Sequence, residues 1–317
     1  MELKAIRYFI TVAEELNITH AAEKLHMSQP PLTVQIRQLE EELGVQLFIR
    51  GKRRLKLTDE GQLFLRRARE IVDLEQKTIL EMQSSGASLS GTIYLGLIEG
   101  RAPYLASAWM KQFRQQYPNV TYDLWNGSSD GVIERLEKGL LDTALVASPF
   151  DNEKLDSVKV WEDPWIAVIP CGHPLAKEPQ NHVHLSKLAE YPLIVPARKS
   201  RVEGLYRWFE EIGRVPDIYA RTSNYIDAVA LSEQGLGISI FPQTNDAPND
   251  LIRCKVITDP PRKVAYHLVW MRSGTNSGIT QAFIDYVKSA PEVRLSHAET
   301  ALASSKTSDG FDQIPEL

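Results

Sequence analysis

Apolar side chains recur three and four residues apart at Leu3, Ile6, Phe9, Ile10, Ala13 and Leu16, the spacing of one helical face. A second, short helix is expected from Thr19, read as its N-cap, through Ala21, Ala22 and Leu25. "HMS" is long enough only for a tight turn. A third helix follows with Ser28 as its cap and runs to about Leu43, where Gly44 ends it. Two short alternating runs in "VQLFIRGKRRLKLT" flank Gly51 and predict a β-hairpin. A long helix comes next, with Leu65, Ala68, Val72, Glu75, Ile79 and Met82 spaced as a heptad seam that Glu75 interrupts. "SSGASLSG", residues 84–91, is a Gly/Ser-rich boundary.

Beyond the boundary the period changes. "TIYLGLI", "VTYDLW" and "DTALVA" read as strands, with helices expected at 103–117 and 129–139 between them. "WIAVIP", "PLIVP" and "GISIFP" are further buried strands, with helices near 203–212 and 224–234. Strands alternating with helices imply βαβ units on a parallel sheet. The polar, small-residue-rich end, residues 293–317, reads as a disordered tail.

The third helix opens with Gln29, Pro30 and Pro31. Proline loses nothing there, because the first N–H groups of a helix have no intrahelical partner. Projected at about 100° per residue, Leu32, Ile36, Leu39 and Leu43 share one face and turn to the core. Pro30, Val34, Arg37, Gln38 and Glu41 lie opposite, with Thr33 at the edge. A merely solvated face would carry more Lys and Glu near its start. Short polar groups and a bare methyl suit base edges: Gln grips adenine, and Thr or Val meets a thymine methyl. This is the layout of a helix-turn-helix, whose second helix enters the major groove. The hairpin adds Arg50, Lys52, Arg53, Arg54 and Lys56, a patch for phosphates or the minor groove. Either feature alone has an ordinary reading, a trihelical packing unit or a solvated hairpin. Both together, in this order, argue for double-stranded DNA as a partner. The candidate contacts are Ser28, Gln29, Pro30, Pro31, Thr33, Val34, Arg37, Arg50, Lys52, Arg53 and Arg54.

Composition narrows the picture. The chain has 317 residues and a net charge of -5, so nucleic-acid binding must be local. Two cysteines, Cys171 and Cys254, form neither a metal-spaced pair nor a disulfide framework. There is no membrane-length apolar run and no basic-then-apolar leader, so a cytoplasmic location is expected.

Residues 9–65 resemble the LysR-type transcriptional regulators. The blocks "AAEKL", "SQPPL", "QIRQLEEELGVQLF" and "LTDEG" carry the resemblance, with "GHPLA" (172–176) and "ALSEQGLGISIFP" (230–242) extending it. It implies a winged helix-turn-helix over 1–58 and a linker helix over 59–90 that pairs with a second subunit. It further implies a two-lobed, periplasmic-binding-protein-like α/β effector domain over 91–292. Lobe I would hold 91–162 and 266–292, and lobe II 163–265. A homotetramer built as a dimer of dimers is implied as well. By the same resemblance Gln29, Pro30, Pro31 and Thr33 approach bases and Arg53 is the wing arginine. Val34 departs from relatives that often carry a polar residue there, which favours a thymine methyl.

Two lobes make a cleft, and ligands of open α/β sheets lie beyond strand ends near helix N-termini. "EGRAP" (Glu99, Gly100, Arg101), "NGSSD" (Ser128, Ser129) and "PARKS" (Pro196, Arg198, Ser200) satisfy this. Hydroxyls, helix N–H groups and arginines would together bind a small carboxylate effector, aromatic or aliphatic. Relatives often place Ser or Thr where this chain has Glu99 and Arg101. Either Arg101 pairs a ligand carboxylate, or the two pair with each other. Tyr225 either packs on a ligand ring or is a half-buried helix residue.

Other signals carry little. "GLGIS" (235–239) lacks the third glycine of a dinucleotide fingerprint and leads into a strand. His173, and His182 with His184 on an expected loop, lack partners at metal spacing. Cys171 follows a buried strand and reads as core. No nucleophile elbow, phosphate loop, cofactor motif or metal site occurs, which argues against an enzyme on this fold. A solute-capture protein would need a leader.

Overall fold

The computed structural model describes residues 1–50, 55–83, 90–151, 153–244, 250–273 and 276–289. The chain divides into two compact units, residues 1–87 and 88–317.

In the first unit α1 (Leu3–Glu15), α2 (Ile18–Lys24) and α3 (Gln29–Leu43) precede a hairpin of β1 (Phe48–Arg50) and β2 (Leu55–Leu57), and α4 (Asp59–Gln83) closes it. Ile6, Phe9, Val12, Leu32, Ile36, Leu39 and Leu47 are buried together, with Ala68 of α4. The α2 cap is Asn17, not Thr19: its carboxamide oxygen accepts from the N–H groups of Thr19 and His20 at 2.9 and 3.3 Å. Asn ranks above Thr as a cap, and its reach of two and three residues starts the helix earlier. His26 makes the turn before α3 with φ of 55°, a left-handed value at a non-glycine residue. Glu75, the break in the seam of α4, pairs with Arg7 of α1.

In the second unit β3 (Gly91–Leu97), α5 (Ala102–Gln116), β4 (Val120–Asn126), α6 (Ser129–Glu137) and β5 (Thr143–Ala147) form the expected parallel βαβαβ run, in the order β4-β3-β5. The long strand β6 (Leu155–Pro170) leads to α7 (Pro174–Lys177), β7 (His182–His184), α8 (Leu185–Leu188) and β8 (Leu193–Pro196). Then come α9 (Lys199–Glu211), β9 (Ile218–Thr222), α10 (Tyr225–Glu233), β10 (Ile238–Pro242), β11 (Ile252–Thr258), β12 (Lys263–Met271) and α11 (Gly278–Ser289). Strands β9, β8 and β10 are again parallel.

Two lobes arise because β6 serves both. Its first part pairs antiparallel with β12 beside β5, and its second part pairs antiparallel with β10 and β11. "WIAVIP" alone predicts only the second part. There Trp165, Ala167 and Ile169 enter one core, while Ile166 and Val168 enter another on the opposite face. Both faces are covered, so the run is continuously apolar. The first part has only one covered side and carries Lys159, Glu162 and Asp163, which hid it. The antiparallel β12 was likewise not foreseen. Among the described residues no helix is long and apolar enough to cross a membrane.

Candidate functional site

Helix α3 presents its surface as its sequence orders it. Leu32, Ile36 and Leu39 are buried, while Gln29, Pro30, Pro31, Val34 and Arg37 are exposed, Val34 at 50%. Ser28 sits at the N-cap position with extended backbone, yet its hydroxyl makes no capping bond. The reason is local. A capping oxygen accepts from the second or third helical N–H, and here those residues are Pro30 and Pro31. The twin prolines therefore leave the Ser28 hydroxyl unused by the helix. Thr33 donates its hydroxyl to the carbonyl of Gln29 at 3.0 Å, which fixes its rotamer on the exposed edge. Among the described residues Arg37 carries no counter-ion. Glu40, by contrast, turns inward and accepts from the N–H groups of Leu47 and Phe48 at 2.7 and 3.2 Å. It anchors the hairpin and removes one acid from the face. Arg50 ends β1, Lys56 is exposed on β2, and Lys52, Arg53 and Arg54 lie outside the described residues.

The second unit holds a cavity of about 370 Å³ between its lobes. That volume falls near the lower end of the usual range for small-molecule sites, about 300–1,000 Å³. Glu99, Gly100, Ser128 and Ser129 line it from one lobe, and Pro196, Arg198 and Tyr225 from the other. Gly100 has φ of 84°, and a Cβ there would come within 3.4 Å of the Thr244 methyl. Glycine lets the chain turn from β3 into α5 against the cavity wall. Ser128 caps α6, its hydroxyl accepting from the Gly131 N–H at 3.2 Å. Tyr225 packs edge-on against Phe241, ring centroids 5.8 Å apart.

Arg101 and Ser200 differ from the sequence expectation. Neither lies on the cavity. Arg101 is 2% exposed, and its Nε and Nη2 donate to Asp163 at 2.8 and 2.9 Å. Its charge is therefore committed to Asp163, away from the cavity. A buried guanidinium needs a buried counter-charge, and β6 supplies it from far along the chain. Asp163 also accepts from the Trp161 indole N–H at 2.9 Å. The Ser200 hydroxyl is buried with no hydrogen-bond partner among the described residues. Arg198 lines the cavity, but its Nε and Nη2 donate to Asp130 at 3.1 and 2.6 Å, an ion pair joining the starts of α9 and α6.

Arg201 is the residue that sequence reasoning missed. It lines the cavity one turn into α9, and no ion pair or side-chain hydrogen bond engages it among the described residues. Burial, then repulsion from Arg198, pushes its guanidinium down to about 10. Its helical spacing from Arg198, three residues, was the available signal. Tyr266 of β12 was missed too. It lines the cavity floor, and burial pushes its phenol well up while the Arg101 backbone N–H reaches its oxygen.

The histidines have structural uses. His173 caps α7, its Nδ1 accepting from the Leu175 N–H at 3.2 Å. His182 and His184 lie on the short strand β7 rather than a loop, and His184 pairs with Asp259 at 2.5 Å.

A helix-turn-helix with an open recognition edge, followed by a two-lobed unit with a ligand-sized cavity, defines a ligand-responsive DNA-binding regulator. Residues 3–62 match the family model of the bacterial regulatory helix-turn-helix proteins, lysR family, and residues 86–292 match the LysR substrate binding domain. The chain belongs to the LysR family of transcriptional regulators. It is 31% identical to the HTH-type transcriptional regulator BsdA of Bacillus subtilis (strain 168), covering 77% of this chain and 84% of that one. It is 30% identical to the Hca operon transcriptional activator HcaR of Escherichia coli (strain K12), covering 76% and 82%. In fold it resembles the crystal structure of CbnR, a LysR family transcriptional regulator, with a TM-score of 0.77 at 23% identity over 92% of this chain and 100% of that one.

Proposed function

We propose that the chain is a cytoplasmic regulator that reads dyad-like promoter sites and responds to a small carboxylate effector, aromatic or aliphatic. The observation that carries the DNA half is the α3 edge: an unused Ser28 hydroxyl with exposed Gln29, Val34 and Arg37, over buried Leu32 and Ile36. Ser28, Gln29, Pro30, Pro31, Thr33, Val34 and Arg37 meet the major groove, and Arg50, Lys52, Arg53 and Arg54 meet the backbone. The DNA complex of CbnR, of the same fold, supports this reading. Leu74, Ile79 and Met82 of α4 are 42%, 46% and 68% exposed, which supports pairing of α4 with a second subunit and assembly into a homotetramer. Two recognition helices then read half-sites about one helical turn apart or a multiple of it.

The effector half rests on the cavity, with Glu99, Gly100, Ser128, Ser129, Pro196, Arg198 and Tyr225 on its walls. Bound effector shifts the lobes and, through the linker helices, the spacing or bending of DNA. A gel shift on DNA just upstream of the coding region tests the first half: retention matched by scrambled DNA would refute it. Calorimetry with benzoate-type and aliphatic acids, amino acids included, tests the second, which ends if none of them gives heat or moves the footprint.

A further inference from the structure

We propose that the effector is a zwitterion, an amino acid with an apolar side chain, whose ammonium meets Glu99 and whose carboxylate meets Arg201. This rests on the reading of the interlobe cavity as the effector site. Three observations bear on it.

The first is charge placement. Glu99 follows β3 in one lobe and Arg201 stands in α9 of the other, and both line the same cavity. No ion pair joins them to each other or to any described side chain. The other charged group on the wall, Arg198, pairs with Asp130. A cavity with one carboxylate and one guanidinium outside any ion pair, set in different lobes, the guanidinium lying 5.4 Å over the Trp165 ring, is complementary to a ligand with both charges.

The second is the charge of the cationic wall. Arg198, the N-cap residue of α9 three positions before Arg201, gives Asp130 its Nε and Nη2. With Asp130 cancelling one charge, this wall keeps a net single positive charge.

The third is what the site rejects. A simple carboxylate at Arg201 offers Glu99 no donor, and the exposed Glu99 stays with solvent. A dicarboxylate adds repulsion. An ammonium adds a contact, so Glu99 acts as the discriminator between an amino acid and its deaminated analogue. Ile98, Tyr225, Phe241 and Pro242 form an apolar part of the wall that suits an aromatic or branched aliphatic side chain.

The experiment is calorimetry on the full chain with phenylalanine, tyrosine and leucine, each beside its deaminated acid and its decarboxylated amine. A charged hydrogen bond is typically worth about tenfold or more in affinity. The expected result is at least about tenfold tighter binding of an amino acid than of either analogue. Glu99→Gln should shrink the preference over the acid to about threefold or less, and Arg201→Gln should weaken amino acid and acid alike. Should Arg201→Gln fail to fold, the wild-type ratios and Glu99→Gln still decide. A deaminated acid binding as tightly as its amino acid, or a preference indifferent to Glu99→Gln, overturns the zwitterion and leaves the carboxylate reading standing. Heat from benzoate-type or aliphatic acids with none from the amino acids does the same. Silence from acids and amino acids together overturns both.

Discussion

At Gln29 the chain exposes a carboxamide at the start of a helix whose first turn is locked by two prolines. A Gln–adenine pair is worth about 1–3 kcal/mol of discrimination. Gln29→Ala should cost that much in operator binding and relax the preference at one base position; measured affinities across single-base operator variants check it, and an unchanged preference would mean that another residue reads that base. Arg101 belongs to stability instead. Removing it strands Asp163 in a buried site, so Arg101→Ala should cost about 3–5 kcal/mol in denaturant unfolding. The sequence brought Glu99 and Arg101 together on a loop, but spacing in a chain does not reveal which guanidinium is buried. That depended on where β6 passed.

Among elements, α2 and β6 show opposite kinds of legibility. Helix α2 is written in its own residues: Asn17, two positions before Thr19, is the stronger capping residue and starts the helix. Asn17→Ala should lower stability by about 1 kcal/mol, whereas Thr19→Ala, with no side chain capping role, should change it far less. Thermal melts of the two variants compare them, and a larger loss for Thr19→Ala would restore the later cap. Strand β6 is legible only where both faces are covered. Its first ten residues keep no strict alternation, their register against β12 shifts opposite Tyr266 and His267, and β12 itself lies about a hundred residues onward. Local pattern carries no signal for such a pairing. Helix α4 sits between these cases: its seam is visible, but Glu75 makes sense only beside Arg7.

Across the whole molecule, burial of titratable groups couples stability to pH. His267 on β12 packs against Phe150 at 5.2 Å, and its Nδ1 is buried with no partner among the described residues. Burial, then the nearby Lys159 charge, lowers its pKa below the ordinary 6.5. The folded state therefore holds that proton less tightly than the unfolded chain. The stability is intact above about 6.5 and is lost as pH falls through that value toward the depressed one. His267→Phe keeps the ring packing and cannot titrate, so its melting temperature should fall less than that of the parent between about pH 7.5 and 5.5. Parallel curves for the two proteins would exclude His267 as a source. At this scale the division is plain. The sequence by itself determined the α3 face, the hairpin, the boundary after α4 and the βαβ runs, because periodicity and caps act over a few residues. Tertiary structure decided which arginine is spent on Asp163, which on Asp130, and which lines the cavity over Trp165 outside any ion pair among the described residues. Those outcomes depend on electrostatic partners brought close by β6 and by the meeting of two lobes, and charge acts through space, not along the chain.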